Sequence, residues 1–587
     1  MIKKLVLFFA CLFLYIGQAS AQTNITGTVV NSEDGEPVVG ATVKVVGTNT
    51  GAVTDIDGRF SLSVPSGRSQ LEISYVGMET KTVRASNGMK VTLVPDENVL
   101  DEVMVVAFGT AKRSAYTGSA KVVGAEDLQK VQVTSVTNAL AGSVAGVQLT
   151  SANGAPDATS TIRIRGFSSL NAGKDPLIIV DGAPYSSPLS TINPSDVESM
   201  TVLKDAASNA LYGARGANGV IIITTKQAKK GRDATVNFDA KFGWNTRALR
   251  QYDVITDPAQ YYEAQYTAVY NQLIDKGLSP EAAWKQASNA LTGDMSEGGL
   301  GYNIWSWPEG QLLIGQNGRL NPNATLGRKV TYKGEDYWVT PDDWMDVGTR
   351  TGQRQEYNLS VSGANERSNF FASLGYLDNE GITDASNYKR LTGRLRADYQ
   401  AKKWMKVGGN LSFSHFDSNS LGNNGSSTST GNIWAFTSQM APVYPAWIRN
   451  GDGSKKVDAN GITMMDYGNG LNAGFGRPFI SDANPILDSK LNTRNTEGNT
   501  ASANGFVDFE FIPGLKLSLN GTYNLYERRL TYVYNPFYGQ FDSTGGTVEK
   551  EHARDYNYNL QQILKYVTKI NDVHNLSIMA AHEWYNA

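Results

Sequence analysis

The chain has 587 residues, of which 41% are hydrophobic and 10% aromatic, with a mean hydropathy of −0.32 and a formal net charge of −3. This length is too great for one hydrophobic core and predicts several domains. The small negative charge argues against nucleic acid as the main partner, and no apolar run reaches the roughly 18 residues that a membrane-spanning helix needs. Transmembrane β-strands are compatible with these values, because they alternate apolar and polar residues.

The first 21 residues have the pattern of a secretory signal peptide. Lys3 and Lys4 precede an apolar segment, Leu5–Ile16, and Ala19–Ala21 supplies the small residues of a cleavage site. Cys11 raises a lipoprotein as the alternative, but apolar residues continue after it. Cys11 is the single cysteine, so the mature protein would have no disulfide. This fits a Gram-negative envelope better than an animal extracellular space.

Residues 23–96 predict a small β-sandwich. Seven short runs of β-forming residues are separated by turn signals such as Asp57-Gly58 and Asn87-Gly88, a spacing typical of two packed sheets. The predicted strands are Ile25–Val30, Ala41–Val46, Gly51–Thr54, Arg59–Val64, Gln70–Tyr75, Thr80–Val83 and Lys90–Val94.

Residues 97–113 form a linker in which acidic residues precede a run of β-formers, Leu100–Phe108. An extended segment of this kind can add itself as a strand to the open sheet edge of another protein. From the residues alone, a further strand of the preceding domain is the alternative.

The sequence of residues 114–230 predicts a compact α/β domain. We predict a helix over Ser135–Ala141, beginning near Thr134 and ending before Gly142, and another over Ala206–Tyr212, capped by Asp205 and ended by Gly213. The predicted strands are Gly118–Val123, Val147–Thr150, Thr161–Arg165, Leu177–Val180 and Val220–Thr225.

Two arginines of this domain, Arg163 and Arg165, alternate with Ile162 and Ile164. Alternation predicts that both arginines project from one face of a strand.

From residue 233 onward, hydrophobicity alternates with a period of two over runs of ten or more residues, the length of a tilted bilayer-spanning strand. We predict nine strands, at residues 233–247, 353–363, 368–377, 389–400, 404–416, 500–512, 515–527, 554–569 and 574–585. Apolar members of the pattern are predicted to face lipid, namely Val236, Phe238, Leu391, Leu395, Leu517 and Leu519. Polar members are predicted to face the lumen, namely Asn237, Arg394, Arg396 and Asn520.

The connections between these strands alternate between short turns and long loops, as in outer-membrane barrels. The long loops are predicted at residues 248–352, 378–388, 417–497 and 528–553. The first holds a helical stretch, Pro258–Leu291, with Asp257 as its cap, and an aromatic cluster that includes Tyr337.

Three segments of the α/β domain carry a family resemblance: IRIRGFSSLN (Ile162–Asn171), PLIIVDGAPY (Pro176–Tyr185) and VLKDAASNALYGARGANGVIIITTK (Val202–Lys226). They resemble the plug domain of TonB-dependent outer-membrane transporters of the SusC/RagA-like branch. Residues 23–96 resemble the carboxypeptidase-regulatory-like domain that precedes many such plugs.

The resemblance implies a mostly β fold with an N-terminal sandwich, an α/β plug over 114–230 and the first strands of a large antiparallel transmembrane β-barrel over 233–587. Such plugged barrels have about 22 strands. The nine predicted strands are fewer than this, and their number is odd, whereas bacterial barrels of one chain have an even number of strands. The chain therefore resembles the N-terminal part of a longer transporter.

The resemblance also implies functional residues. A TonB-interacting segment would consist of Asp101, Glu102, Val103, Met104, Val105, Val106, Ala107 and Phe108. The plug motif residues are Arg163, Arg165, Gly166, Asp181, Gly182, Lys204, Asp205, Arg215 and Gly216. Arg163 and Arg165 would form buried ion pairs with acidic residues of the wall, with solvated polar side chains as the alternative, and the same two interpretations apply to Lys204, Asp205 and Arg215.

The implied activity is TonB-dependent import of a bulky nutrient, an oligosaccharide or a peptide, across the outer membrane. The implied partners are TonB, energised by ExbB and ExbD, a SusD-like surface lipoprotein that acts as a lid, and outer-membrane lipid. Loop tryptophans could contact the ligand or lid, namely Trp305, Trp307, Trp338, Trp344 and Trp434. Packing of the loops is the alternative role for them.

We find no motif for an enzyme, cofactor or metal, and the four histidines show no ligand spacing. Asp452, Asp458 and Asn460 could hold calcium in an outer loop, with a plain turn as the alternative. A surface adhesin or passive binding protein is the competing function, although it would need neither a plug nor a TonB-interacting segment.

Overall fold

A computed structural model describes most of the chain after the signal-like segment. The described residues are 22–32, 35–48, 50–65, 70–75, 78–94, 103–106, 109–112, 119–130, 134–151, 154–166, 169, 173–205, 209–228, 234–248, 253–293, 296, 298–420, 431–570 and 574–586. They form two compact units: the N-terminal domain is one, and the plug, the large sheet and its long connections are the other.

The N-terminal domain has the predicted seven strands in two sheets. One sheet has the order β4-β1-β7 and the other the order β3-β2-β5-β6. Alternate residues such as Val43, Leu62 and Ile73 are buried between the sheets, as the hydrophobic pattern requires. The strands are β1 (Gln22–Asn31), β2 (Thr42–Val45), β3 (Gly51–Val53), β4 (Arg59–Pro65), β5 (Gln70–Ser74), β6 (Lys81–Arg84) and β7 (Met89–Leu93).

Part of the predicted TonB-interacting segment is extended. Strand β8 (Val103–Val106) pairs with β9 (Gly109–Lys112) in a two-stranded sheet. Asp101, Glu102, Ala107 and Phe108 lie outside the described residues.

The plug is a five-stranded mixed sheet of order β10-β15-β16-β13-β14 beside a hairpin of β11 and β12. Its central strand β16 is buried along almost its whole length. The elements are β10 (Ala120–Gly124), α1 (Ala125–Lys130), β11 (Val147–Thr150), β12 (Thr161–Ile164), β13 (Leu177–Val180), β14 (Ala183–Pro184), β15 (Val197–Leu203) and β16 (Val220–Thr225).

The helix predicted over 135–141 is wrong. Only a 3-10 turn forms there, over Asn138–Leu140. The hydroxyl oxygens of Ser135 and Thr137 lie 2.8 Å apart, so local hydrogen bonds of these side chains compete with an α-helix. Of the other predicted helix, residues 206–208 lie outside the described part, and a 3-10 segment, Ala210–Gly216, follows with a break at Gly213 (φ 59°).

The nine predicted barrel strands form one antiparallel sheet in chain order, β17-β22-β23-β24-β25-β28-β29-β30-β31. Several strands extend beyond the predicted bounds, so the connections predicted at 378–388 and 528–553 shorten to residues 381–386 and 535–546. The strands are β17 (Thr235–Asn245), β22 (Gly352–Ala364), β23 (Ser368–Glu380), β24 (Asn387–Lys402), β25 (Met405–Asn419), β28 (Thr493–Ile512), β29 (Leu515–Tyr534), β30 (Thr547–Ile570) and β31 (His574–Asn586).

Alternation places polar and apolar side chains on opposite faces of this sheet. Leu391 and Leu395 are exposed on the face away from the plug, whereas Arg394 is buried against the plug. Val236, Phe238 and Leu519 are likewise exposed, and Leu517 is half-buried. The sheet is therefore a segment of barrel wall whose inner face contacts the plug.

Two long connections, 246–351 and 420–492, fold together at one end of the wall. The predicted helix over 258–291 is two helices, interrupted at Gly277 (φ 90°), and Asp257 caps the first as predicted. Their elements are α2 (Pro258–Asp275), α3 (Pro280–Ala290), β18 (Trp305–Ser306), β19 (Thr325–Leu326), β20 (Arg328–Tyr332), β21 (Glu335–Val339), α4 (Trp344–Gly348), α5 (Ile433–Gln439), β26 (Asn469–Asn472), β27 (Phe475–Gly476) and α6 (Pro485–Leu491).

The two connections share hydrophobic cores, so we treat them as one unit and call it the cap. Tyr302 and Ile304 of the first connection pack with Tyr444 and Ile448 of the second. At their junction, a Cβ on Gly301 (φ 72°) would collide with the carbonyl oxygen of Gly476, so only glycine allows this approach.

Candidate functional site between the plug and the barrel wall

A two-residue turn, Asp181-Gly182, brings the edge of the plug sheet to the wall. It joins β13 to β14, and both residues have positive φ, 48° for Asp181 and 90° for Gly182. Asp-Gly is a favoured pair in such hairpin turns, because aspartate tolerates this conformation and glycine has no Cβ. The turn places the Asp181 carboxylate beside β24 and β25.

The Asp181 carboxylate is the centre of a buried polar cluster. Within the plug it accepts hydrogen bonds from the backbone N–H of Thr225 (3.0 Å) and from its hydroxyl (2.6 Å). From the wall, Arg394 Nη2 donates over 2.8 Å and Asn410 Nδ2 over 2.7 Å, and Arg396 Nη1 lies 3.8 Å away. We call Asp181, Arg394 and Asn410 the latch.

The latch contains a buried ion pair, because the side chains of Arg394 and Asp181 are only 6% and 11% exposed. Burial by itself raises the pKa of a carboxyl group. Here Arg394, Thr225 and Arg396 outweigh burial and hold the pKa of Asp181 below its usual value. The carboxylate therefore stays charged, and removing either partner would leave a buried charge without compensation.

The predicted wall partners of Arg163 and Arg165 are wrong. Arg163 Nη1 pairs with Asp175 of the plug over 2.7 Å, and the Asp175 side chain is 79% exposed. Arg165 has a φ of 55°, so β12 ends before it and the two arginines do not share a strand face. Its Nη2 donates to Ser119 Oγ over 3.2 Å.

Of the remaining charged plug-motif residues, one contacts the wall and the others form hydrogen bonds within the plug. Arg215 pairs with Glu583 of β31, and its guanidinium lies 5.0 Å from the ring centroid of Tyr585. This residue reaches the wall as predicted, but the pair is not buried, since the two side chains are 38% and 20% exposed. Lys204 Nζ instead donates to the backbone oxygen of Ala145 over 3.1 Å, inside the plug.

The side chain of Asp205 also bonds within the plug, where it accepts from the backbone N–H of Ser119. Gly166 has a φ of 105°, which glycine adopts without strain. A Cβ on Gly216 would lie 2.9 Å from the backbone oxygen of Asn209, so this position also needs a glycine.

Several wall residues that the sequence interpretation missed also hold the plug. Arg390, which is 3% exposed, donates through Nη1 to the backbone oxygens of Thr134 (3.0 Å), Ile192 (3.1 Å) and Ser190. Asn193 of the plug donates to Asn358 Oδ1 over 2.8 Å. The alternation of polar and apolar residues in the sequence indicated that these positions face inward. It could not indicate which plug residues they contact.

Two of the five predicted loop tryptophans are buried and three are half-buried. Trp305 and Trp344 are 6% and 3% exposed and belong to the two cores of the cap, so their predicted ligand or lid contact is wrong. Trp344 Nε1 donates to the Tyr444 backbone oxygen over 2.9 Å. Trp307, Trp338 and Trp434 are half-buried, and their contact with a ligand or lid stays a prediction.

A buried polar network ties the two connections of the cap together. The Tyr302 hydroxyl, from the first connection, donates to Asp466 Oδ2 in the second over 2.8 Å. Arg477 lies 3.8 Å from Asp466 and donates to the backbone oxygens of Ile480 (3.0 Å) and Ala483 (2.8 Å). The strained backbone around Ile480 (φ 48°) is thus held by a fully buried guanidinium.

The predicted calcium ligands at Asp452, Asp458 and Asn460 take part in local turn hydrogen bonds, and calcium binding there stays a prediction. Asp452 Oδ1 accepts from the Ser454 N–H over 2.9 Å, and Asp458 Oδ1 accepts from the N–H groups of Asn460 (2.9 Å) and Ile462 (2.8 Å). In the part of the chain that the structure describes, no group of three or more acidic, histidine or cysteine side chains could hold a metal ion. Within the same part, no helix has the length and hydropathy to cross a membrane.

Two protein-family models match the chain. The TonB-dependent Receptor Plug Domain matches residues 112–220, and the CarboxypepD_reg-like domain matches residues 25–105. These matches cover the α/β domain and the N-terminal sandwich.

Similar proteins extend the match into the barrel wall. TonB-dependent receptor SusC of Bacteroides thetaiotaomicron is 30% identical over 583 residues, covering 96% of this chain and 50% of SusC. A TonB-dependent receptor of Formosa agariphila is 27% identical over 578 residues, covering 97% of this chain and 47% of that protein. The chain thus spans about half the length of the curated relatives it matches.

The fold of this chain is similar to that of a solved structure. The RagAB peptide importer in its open-open state has a TM-score of 0.60 at 26% identity, covering 82% of this chain and 49% of that one. The chain is therefore similar to the SusC/RagA-like TonB-dependent receptors, in sequence over almost its whole length and in fold over 82% of it.

Proposed function

We propose that this chain carries the plug and part of the wall of an importer that moves a bulky nutrient, an oligosaccharide or a peptide, across the outer membrane. The observation that carries the proposal is the buried attachment of the plug to the wall through the latch and Arg390. A passive surface adhesin would have no use for a domain that fills a barrel and is held by ion pairs that must be broken.

TonB would supply the force, with ExbB and ExbD energising it. Strand β8 lies in an extended conformation before the plug and is an edge strand of a two-stranded sheet within the described residues. An edge strand can pair with a strand of another protein through its main-chain groups. Tension on β8 would then reach the plug through the chain that follows it.

A SusD-like surface lipoprotein would cover the cap, and the nutrient would bind between the cap, the plug and the wall. Support for a partner and for a large substrate comes from the relatives, one of which is SusC and another a RagAB peptide importer. The half-buried Trp307, Trp338 and Trp434 are the aromatic candidates for these contacts.

Replacing residues 101–108 by a flexible linker of equal length tests the coupling. We expect uptake of the cognate nutrient to be lost while binding to whole cells is retained, because binding uses the cap side and pulling uses β8. Growth on the nutrient as sole carbon source and binding of labelled nutrient are the measurements.

The control is the same replacement in a strain without TonB, where it should cause no further loss. Normal growth of the variant in a TonB-producing strain would contradict the assignment.

A further inference from the structure

One arginine of the wall carries a positive charge that no acidic side chain among the described residues neutralises. Arg494 lies near the start of β28, just after the cap helix α6. Its guanidinium carbon lies 4.7 Å from the ring centroid of Tyr532 and 5.9 Å from that of Tyr534, both on β29. Arg494 Nε is buried and has no hydrogen-bond partner in the described part of the chain. We call Arg494, Tyr532 and Tyr534 the arginine site.

The arginine site faces the space between the plug, the wall and the cap. Alternation places Arg494 on the same face of β28 as Thr500, which is buried against the plug. On the neighbouring strand β25, Ser418 Oγ donates to Asp157 Oδ2 of the plug over 2.7 Å. Ser418 is in register with Thr496, and Arg494 lies two residues further toward the cap. The site therefore borders the space in which the nutrient is proposed to bind.

Carboxylates on the neighbouring elements leave the charge of Arg494 available. Asp157 is held by a wall hydroxyl and forms no ion pair with Arg494. Glu549 of β30 is in register with Tyr532, which is itself in register with Arg494. Glu549 is thus two strands away, about 9–10 Å across the sheet, with a tyrosine between the two charges. Residues 421–430, which connect β25 to the cap, lie outside the described residues and contain no aspartate or glutamate.

Two other arginines close to this site are paired, unlike Arg494. Arg528 lies on the inner face of β29, and its Nη2 is 3.3 Å from Glu551 Oε1. Arg529 lies on the outer face of the same strand, and its Nη2 is 3.0 Å from Glu527 Oε1. The lack of an acidic partner is therefore a property of Arg494 and not of this end of the wall as a whole.

Packing against tyrosine rings holds the guanidinium of Arg494 without using up its hydrogen-bonding capacity. Aromatic faces attract a cation, but they present no acceptor oxygen to its N–H groups. Phe541 packs on Tyr534 with the ring centroids 4.4 Å apart, which fixes one of the two rings. Asp542, which follows Phe541, is exposed and forms no ion pair with Arg494. The site thus presents a positioned cation whose planar N–H groups match the two oxygens of a carboxylate.

We propose that Arg494 binds a carboxylate group of the imported nutrient and thereby selects acidic oligosaccharides or acidic peptides. A partly buried guanidinium without an acceptor is costly, and a ligand carboxylate removes that cost by forming charge-assisted hydrogen bonds. A neutral nutrient cannot compensate the charge in this way. This inference rests on the proposed import function and adds the charge class of the substrate and a residue that selects it.

Calorimetric binding to the purified whole transporter in detergent tests the site without TonB. The sugar probes are hexagalacturonate and its neutral methyl ester. The peptide probes are two blocked hexapeptides in which alanine alternates with aspartate or with asparagine. We expect at least one acidic probe to bind about tenfold or more tightly than its neutral counterpart, because only the acid pairs with Arg494.

Variants of Arg494 assign the preference to this side chain. Arg494→Gln should weaken binding of the acidic probe about tenfold or more and change the neutral probe less than about twofold. Arg494→Lys keeps the charge but not the two parallel N–H groups, so an intermediate loss of about threefold is expected. Raising the salt concentration should weaken the acidic probe in wild type and have little effect in Arg494→Gln. The matched control is Arg529→Gln, on the outer face of β29, which should bind like wild type.

Binding of the acidic sugar alone would restrict the substrate to oligosaccharides, and binding of the acidic peptide alone would restrict it to peptides. Either result keeps the acidic class. Failure of both acids to bind more tightly than their neutral counterparts would overturn the proposal. A lower melting temperature of Arg494→Gln with unchanged binding of the acidic probe would also overturn it, because Arg494 would then serve only in packing.

The import function fails separately, because it is measured in cells. If the acidic probe binds through Arg494 but the replacement of residues 101–108 leaves growth on the nutrient normal, the arginine site stands and the TonB-dependent assignment falls. If that replacement abolishes uptake and Arg494→Gln does not change binding, the arginine site alone is overturned.

Discussion

At the residue scale, the sequence motif identified Asp181 as a plug residue but did not identify its hydrogen-bond partners. Its place in a plug motif was evident from the sequence, and its partners were not, because they lie more than 200 residues away on β24 and β25. We expected plug arginines to meet acidic wall residues, whereas at the latch the plug supplies the acid and the wall the arginine. Arg215 and Glu583 follow the expected polarity.

A residue-scale prediction concerns Asp488, which lies in the cap on α6. Burial raises the pKa of Asp488 to about 6, a hydrogen bond from the Tyr467 hydroxyl works against this, and nearby Asp482 adds to it. A carboxyl with a raised pKa favours the folded cap when protonated. The contribution of Asp488 to the free energy of unfolding of the cap is fully present below the unfolded pKa near 4. It is lost as the pH rises through the folded pKa of about 6, and the total loss is up to about 3 kcal/mol.

Urea unfolding of the cap, followed by tryptophan fluorescence in detergent at pH 4, 5, 6 and 7, measures this effect. We expect wild type to lose stability across the range and Asp488→Asn to show a much flatter profile. Asp346→Asn, at an exposed position on α4, is the control and should keep the wild-type slope. Parallel profiles for wild type and Asp488→Asn would refute the assignment.

At the element scale, alternation found all nine wall strands of the described residues but predicted several of them too short. Strands β28, β29 and β30 have 20, 20 and 24 residues and continue past the apolar band. Beyond that band the outward residues are polar, so hydrophobicity stops alternating while the backbone ladder continues. The failed helix at 135–141 has another cause, since side-chain hydrogen bonds of Ser135 and Thr137 favour a tight turn.

An element-scale prediction concerns the outward face of β24. Leu395 lies near the middle of this strand, is 50% exposed and points away from the plug. We expect Leu395→Arg to destabilise the barrel in lipid by about 2–4 kcal/mol, because a charge near the bilayer midplane loses its hydration. Unfolding in urea after reconstitution is the measurement.

Leu326→Arg is the matched control, since Leu326 is 45% exposed on β19 in the cap and belongs to no strand of the wall. It should change stability by less than about 0.5 kcal/mol. Equal unfolding midpoints for wild type and Leu395→Arg would show that this face does not contact lipid.

On the scale of the whole molecule, the cap is the feature that no local pattern predicted. The first connection supplies Tyr302 and the second supplies Asp466 and Tyr444, more than 140 residues further along the chain. The sequence indicated two long loops with helices and aromatics. It did not indicate that they share cores and bury Trp305 and Trp344.

The asymmetry of the connections predicts the orientation of the whole molecule, because long connections of outer-membrane barrels lie outside the cell and short turns lie in the periplasm. In a Cys11→Ser background, we expect Glu309→Cys in the cap to react with an impermeant maleimide on intact cells. Glu366→Cys, in the short turn between β22 and β23, should react only after permeabilisation. The reverse labelling pattern would invert the topology.

The sequence by itself determined what depends on local periodicity and local motifs. These were the seven strands of the sandwich, the nine strands of the wall with their two faces, and the three segments that identified the plug. Only the tertiary structure decided which polar residues meet. Hydrogen bonds and ion pairs such as Asp181 with Arg394 join side chains from distant strands, and their register depends on how the whole plug seats against the wall. Periodicity tells which face a residue occupies, but not which residue lies opposite.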